Sequence, residues 1–131
     1  MSSFCIIGSG ISGATIANLL NKKYSVDLYD KASGPGGRSS FKRLKDTKGF
    51  DHGTQYISPK SSIFKKFVKE LNKKKVLKNW GGKHLFLNQV KKSQKNHIKI
   101  IGRKGNNDIS KYLLKDINCH FQKEFTNIDY K

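Results

Sequence analysis

The first apolar run, Phe4-Cys5-Ile6-Ile7, is short and continuous, as a buried parallel strand requires, and it breaks at Gly8. From Ile11 to Lys23 the positions Ile11, Ala14, Thr15, Ile16, Ala17, Leu19 and Leu20 suit a helix packed on a sheet. Tyr24 to Asp30 alternates with period two and predicts a second strand. A glycine-rich loop over 31–40 holds Pro35; short strands over 41–44 and 49–57 follow, around a turn from Asp46 to Gly49. Ile63, Phe64, Phe67, Val68 and Leu71 predict an amphipathic helix between Lys60 and Lys75, its aromatic stripe serving as core packing. Strands are expected over 83–90 and 97–103. A helix capped by Asn107 is expected from Asp108 to Lys115, and short strands over Cys119–Gln122 and Phe125–Tyr130. Strand–helix–strand, a small β insertion, then helix–strand implies an α/β layer fold with parallel strands 4–7, 24–30 and 119–122. Residues 1–131 read as one domain, with 41–103 a β/α insertion within it.

Glycines punctuate this pattern at informative places. Gly8-Ser9-Gly10-Ile11-Ser12-Gly13 fits G-x-G-x-x-G, follows an apolar strand and opens a helix, and Asp30 closes the next strand. Gly8 permits the tight turn and Gly10 lets the backbone approach a pyrophosphate. Gly13 omits the Cβ that would hold the helix off the strand. The anion then lies on the helix N-terminus, where unpaired N–H groups and the positive dipole end converge. Asp30 is placed to accept hydrogen bonds from an adenosine ribose. The unit is the first half of a Rossmann-like dinucleotide fold.

An acid at that position admits NAD or FAD and argues against NADP. The loop after Asp30 carries Gly36-Gly37-Arg38, a close backbone approach beside a guanidinium suited to a pyrophosphate oxygen. A first βαβ unit for NAD has no general need of this second clamp, so the expected cofactor is FAD.

The formal charge of +18 comes from 27 basic residues, of which only Arg38, Arg43 and Arg103 are Arg. Nucleic-acid recognition favours the planar fork of Arg, so the lysines read as a solvated surface rather than a nucleic-acid footprint. Cys5 and Cys119 lie in strand-like runs without CxxC or His spacing, so neither a metal site nor a disulfide framework is expected. The N-terminal apolar stretch lacks a basic leader and is interrupted by glycines. It therefore reads as neither signal peptide nor membrane span, and a cytoplasmic setting is expected with no membrane partner.

The run from Ile6 to Ile57 resembles the N-terminus of flavin-containing amine oxidoreductases, and more narrowly the renalase-like group. The carriers are Ile-Ile-Gly-Ser-Gly-Ile-Ser-Gly at 6–13, Asp30 with Gly36-Gly37-Arg38, and Phe50-Asp51-His52-Gly53-Thr54-Gln55-Tyr56-Ile57. Gly102 to Leu114, a glycine-containing loop entering a helix, also falls where that family has one. The resemblance implies FAD contacts from the first glycine loop including Ser12, from Asp30, from Gly37 and Arg38, and from Gln55 and Tyr56 near the flavin end. It also implies an amine or a reduced nicotinamide as hydride donor, with oxygen reoxidising the flavin. His52 beside Asp51 reads as structural, and His84, His97 and His120 show no ligand spacing. No catalytic residue is named.

Members of that family are considerably longer, so the chain is expected to be a truncated or partial fold whose missing half could come from a partner chain. Two alternatives compete with the flavoenzyme reading: a non-catalytic dinucleotide-binding or interaction domain and, more remotely, a lysine-rich nucleic-acid binder using residues 60–131.

Overall fold

The computed structural model describes residues 2–45, 48–81, 98–127 and 129. Its centre is a three-stranded parallel sheet of β1 (Ser3–Ile7), β2 (Ser25–Asp30) and β7 (Asn118–Phe121), in the order β1-β2-β7. Phe4 pairs with Val26 and Ile6 with Leu28, and Leu28 in turn with Cys119. Successive side chains of a strand point to opposite faces, so the period-two pattern of residues 24–30 reports a sheet covered on one side. Val26 and Leu28 are buried against α1 (Ile11–Leu20) and α3 (Asp108–Leu113), whose Ala14, Ala17, Ile109 and Leu113 complete this part of the core. On the other face Asp27 accepts from Asn118 Nδ2 at 2.5 Å and lies 2.9 Å from His120 Nε2, and the Tyr29 and His120 rings stack at 4.4 Å.

α1 ends three residues before the expected Lys23. The N–H groups of Lys23 and Tyr24 both turn back to the carbonyl of Leu20. Asn18 and Asn21 reach across to α3, donating to the carbonyls of Leu113 at 2.9 Å and Asp116 at 3.1 Å. Carbonyls at and beyond that helix end, which the helix itself leaves unpaired, are thereby satisfied.

Among the described residues between β2 and α3 lie two antiparallel pairs, one α-helix and a 3-10 turn over Gly37–Ser39. β3 (Phe41–Arg43) pairs with β4 (Gly49–Asp51). α2 (Ser62–Lys73) begins where the Ser61 hydroxyl accepts the Phe64 N–H at 3.2 Å, and its Val68 and Leu71 are buried beside Leu77 and Ile100. β5 (Leu77–Asn79) pairs with β6 (Ile100–Gly102). Sequence reading missed β5, a three-residue strand with one apolar residue. The expected strand at 83–90 lies outside the described residues.

Three expectations are corrected. The strand at 49–57 stops at Asp51; beyond it only Ile57 makes a bridge, to Ile100. Asn107 occupies the N-cap position of α3 but does not cap it: its Nδ2 donates to the Pro35 carbonyl at 3.2 Å, while the Asp108 carboxylate accepts the Lys104 N–H at 2.7 Å. The expected strand from Phe125 is absent from residues 125–127 and 129, and its other positions lie outside the described residues. Gln122 and Lys123 leave β7 by donating to the carbonyls of Ala32 and Asp30. Among the described residues no helix is long and apolar enough to cross a membrane.

Candidate functional site

At the end of β1 the chain turns through Gly8, whose φ of 97° is left-handed backbone that favours glycine. Its N–H still bonds to Tyr29 O at 2.8 Å, so the turn starts from the last rung of the sheet. The helix then opens at Gly10 without a side-chain cap and without an acidic residue in the first turn. The first N–H groups of α1 are thus left for an external acceptor, which is the arrangement an anion exploits. A Cβ on Gly13 would lie 2.0 Å from the Gly8 carbonyl oxygen, so the helix can seat against the turn only with glycine there.

The second glycine loop is built against the first. Gly36 donates to Ser9 O at 3.1 Å and forms a parallel bridge with Gly10. A Cβ on Gly37 would come within 3.1 Å of Gly10 Cα. Gly36 and Gly37 have φ of 142° and 52°, and the chain enters a 3-10 turn over Gly37–Ser39. Arg38 is held by its backbone: its carbonyl accepts the Thr54 N–H at 2.9 Å and the Thr54 hydroxyl at 3.2 Å, and Gly53 is pressed so close that a Cβ would sit 2.0 Å from the same oxygen. That contact explains why residues 52–57 leave the strand.

These pieces surround one cavity of about 660 Å³, lined by Gly8, Gly10, Ile11, Ser12, Gly13, Gly37, Arg38 and Thr54 among others. It falls within the size range of small-molecule sites. Six residues named from sequence (Gly8, Gly10, Ser12, Gly13, Gly37 and Arg38) meet there. The other three do not line it.

Asp30 is turned toward its own chain. One carboxylate oxygen accepts the Ser9 N–H at 2.6 Å together with the Ser9 hydroxyl, and the other accepts the Ala32 N–H at 2.9 Å. Partial burial pushes its pKa up, but the bonds from Ser9 and Ala32 outweigh this and hold the carboxyl below its ordinary value. An ionised carboxylate offers about four acceptor sites, so three bonds leave room for a ribose hydroxyl.

Gln55 and Tyr56 lie beyond Thr54. The Gln55 carbonyl accepts from Asn106 Nδ2 at 3.2 Å. The Tyr56 ring lies nearly parallel to Trp80 at 6.0 Å, with the Lys99 ammonium 4.4 Å from the Tyr56 centroid. His52 Nε2 sits 2.9 Å from the Ser40 hydroxyl.

Two positioning residues were not visible in the sequence. Ser9 is a variable position of the glycine motif, yet it is fully buried and joins the loop to both Asp30 and Gly36. Asn106, also fully buried, accepts the Gly102 N–H at 2.8 Å and donates to the Thr54 carbonyl at 2.6 Å, while its own N–H bonds to Asp51 at 2.7 Å. The Gly102-x-x-Gly105-Asn106 spacing is the one signal that could have pointed to it.

A βαβ unit with paired glycine loops around an uncapped helix start defines a dinucleotide-binding domain. The chain belongs to the NAD(P)-binding Rossmann-like domain family, whose model matches residues 6–71. Similar solved structures include a cofactor-binding redesign of putrescine oxidase, at 24% identity and a TM-score of 0.44, and the wild-type enzyme bound to putrescine, at 23% and 0.43. Each match covers 60% of this chain, which spans 18% of the length of those chains.

Proposed function

We propose that the chain is the FAD-binding N-terminal portion of a renalase-like flavin oxidoreductase of the amine oxidase class, working in the cytoplasm with its two cysteines free. The observation that carries this reading is the convergence of Gly10, Ser12, Gly37 and Arg38 on one cavity at the start of α1. The fit rests on donors: an uncapped helix start supplies N–H groups, and Arg38 adds a cationic fork for the same diphosphate. Gly10, with no side chain at the mouth, admits close approach of the phosphate oxygens.

In this reading, Gly8 and Gly13 set the path of the backbone, Asp30 fixes Ser9 and offers its remaining acceptor site to the ribose, and Thr54 keeps Arg38 in place. Gln55 and Tyr56 would stand toward the flavin ring, beyond the diphosphate. Bound FAD supplies the hydride acceptor; an amine or a reduced nicotinamide is the proposed donor class, and oxygen the final acceptor. The residues described here bind and orient, and none is assigned a proton-transfer role.

The test is the absorption spectrum of the purified chain after incubation with FAD and removal of excess by gel filtration. Retained bands of oxidised flavin are expected. Retention of NAD with rejection of FAD would refute the cofactor assignment while leaving the dinucleotide fold intact.

A further inference from the structure

We infer that a second cavity, on the far side of the second glycine loop, binds a ligand with the chemistry of a nucleoside monophosphate: a flat ring bearing an N–H donor, joined to a phosphate monoester. The cavity has a volume of about 590 Å³ and lies between the 32–35 loop, β3 and α3, with Phe121 of β7 at one side. That volume suits a small-molecule ligand. It shares no lining residue with the glycine cavity, and Asp30, which is placed for the ribose of the dinucleotide, lines neither. The site is therefore separate from the one assigned to the diphosphate, and it does not depend on which dinucleotide that one takes.

Asn107 forms its floor. The residue is 8% exposed, and its Nδ2 donates to the Pro35 carbonyl at 3.2 Å, which fixes the orientation of the amide. The Oδ1 atom is buried and accepts no hydrogen bond among the described residues. A buried acceptor left unpaired is costly, so this oxygen calls for a donor on a bound molecule. The floor is also held firmly, because a Cβ on Gly36 would come within 2.8 Å of Asn107 Cβ.

Walls and rim narrow the choice. Phe41 and Phe121 supply apolar ring surface. The Phe41 ring is fixed in place: Gly49 and Gly105 press on it so closely that a Cβ on either would strike it. Lys42, Arg43 and Lys111 border the same cavity, and none of its lining residues is acidic. Lys111 lies 3.3 Å from Asp108, whereas Lys42 and Arg43 have no ion-pair partner among the described residues. Cations at the rim match a phosphate, ring surface matches a nucleobase, and the buried acceptor matches a base N–H. Inorganic phosphate would leave the aromatic walls unused, and a free nucleoside would leave the cations unused.

The test titrates the ¹⁵N-labelled whole chain with AMP, with adenosine and inorganic phosphate as partial ligands and FAD as the ligand of the glycine cavity. Saturable shifts at one equivalent of AMP are expected at the Asn107 side-chain amide and at the backbone amides of Phe41–Arg43 and Lys111, with Ser12, Gly37 and Arg38 unmoved. Adenosine and phosphate should each bind at least about tenfold more weakly than AMP. The double variant Lys42→Ala/Arg43→Ala, altered at exposed positions and checked by thermal unfolding, should weaken AMP at least about tenfold through the lost charged contacts. Asn107→Leu should weaken it as well, and if that variant does not fold the double variant decides. Any of four results would overturn the proposal. These are AMP shifts centred on Ser12 and Gly37, no saturation below about 10 mM, an unaltered affinity in the double variant, or the same Phe41–Arg43 and Lys111 footprint under FAD. The last would make this cavity one end of the dinucleotide site.

Discussion

Asp30 closes the dinucleotide motif from within: one oxygen of its carboxylate takes both the backbone N–H and the hydroxyl of Ser9, 21 positions earlier. The residue that a ribose is expected to meet is therefore also the clasp that holds the first glycine loop on the end of β2. Its geometry makes the site's shape depend on protonation.

Replacing Asp30 with Ala leaves the buried Ser9 donors unpaired, and a loss of about 1–3 kcal/mol is expected in urea unfolding at neutral pH. The pH dependence follows from the lowered carboxyl pKa. A depressed folded-state value gives stability that is fully present above the unfolded value near 3.9 and is lost as pH falls through the folded value. Wild-type stability should decline below about pH 4, and the part due to Asp30 should be missing from the Asp30→Ala curve. Superimposable acid limbs for the two proteins would contradict the clasp.

Gly10 and Gly13 separate fold from ligand. A methyl on Gly13 meets the Gly8 carbonyl, so Gly13→Ala should cost about 1–3 kcal/mol through overpacking. A methyl on Gly10 finds its nearest neighbour at 3.9 Å, so Gly10→Ala should change stability by less than about 1 kcal/mol. It should nevertheless weaken dinucleotide binding, and Gly10→Val should abolish it. Calorimetric titration beside thermal unfolding checks both halves.

Arg38 is anchored through its carbonyl, so its backbone position does not depend on the guanidinium. Arg38→Ala should keep the melting temperature close to wild type and lower dinucleotide affinity by about tenfold to a hundredfold, the value of a hydrogen bond to a charged group. Arg38→Lys should recover only part of this, because a point charge cannot reproduce a two-pronged contact.

Asn106 ties Gly102 to the Thr54–Gln55 segment through one buried side chain. Asn106→Ala strands the Gly102 N–H and the Thr54 carbonyl, and a stability loss of about 2–4 kcal/mol is expected in denaturant unfolding. Because Thr54 in turn holds Arg38, dinucleotide binding should weaken as well.

On the open face of the sheet, the His120 hydrogen bond is the main cause holding the Asp27 carboxyl below its ordinary value, with Asn118 assisting against the opposing effect of desolvation. His120→Ala should move the Asp27 titration, followed by carboxyl carbon NMR, upward toward the ordinary aspartate range.

The parts legible in the sequence are those where local pattern and final environment coincide. Ser25–Asp30 carries the period of the surface it buries through Val26 and Leu28, and the glycine spacing allows little else than a turn into a helix. Phe4–Ile7, by contrast, has the composition of a buried strand but only Ile6 is half-buried, and α1 buries Ala14 and Ala17 while Ile11, Ile16 and Leu19 stay exposed. Leu77–Asn79 gave no such signal: its pairing depends on Ile100, more than twenty positions away. The run after Asp51 has a strand's composition, but Gly53 and Thr54 are drawn off to Arg38, a tertiary demand that outweighs propensity. Asn107 has the composition of a cap and instead spends its amide on Pro35, because Asp108 already holds the preceding turn. Ser9 stayed hidden because a fully buried hydroxyl and a solvent-facing one look identical in a linear motif.

The most direct measurement is an amide ¹H–¹⁵N spectrum of the labelled chain titrated with FAD. The largest shifts are expected at Ile11, Ser12, Gly13, Gly37 and Arg38, with saturation at one equivalent. Shifts confined to the lysines of α2, or an unmoved first turn of α1 at saturation, would contradict a diphosphate held at that helix start.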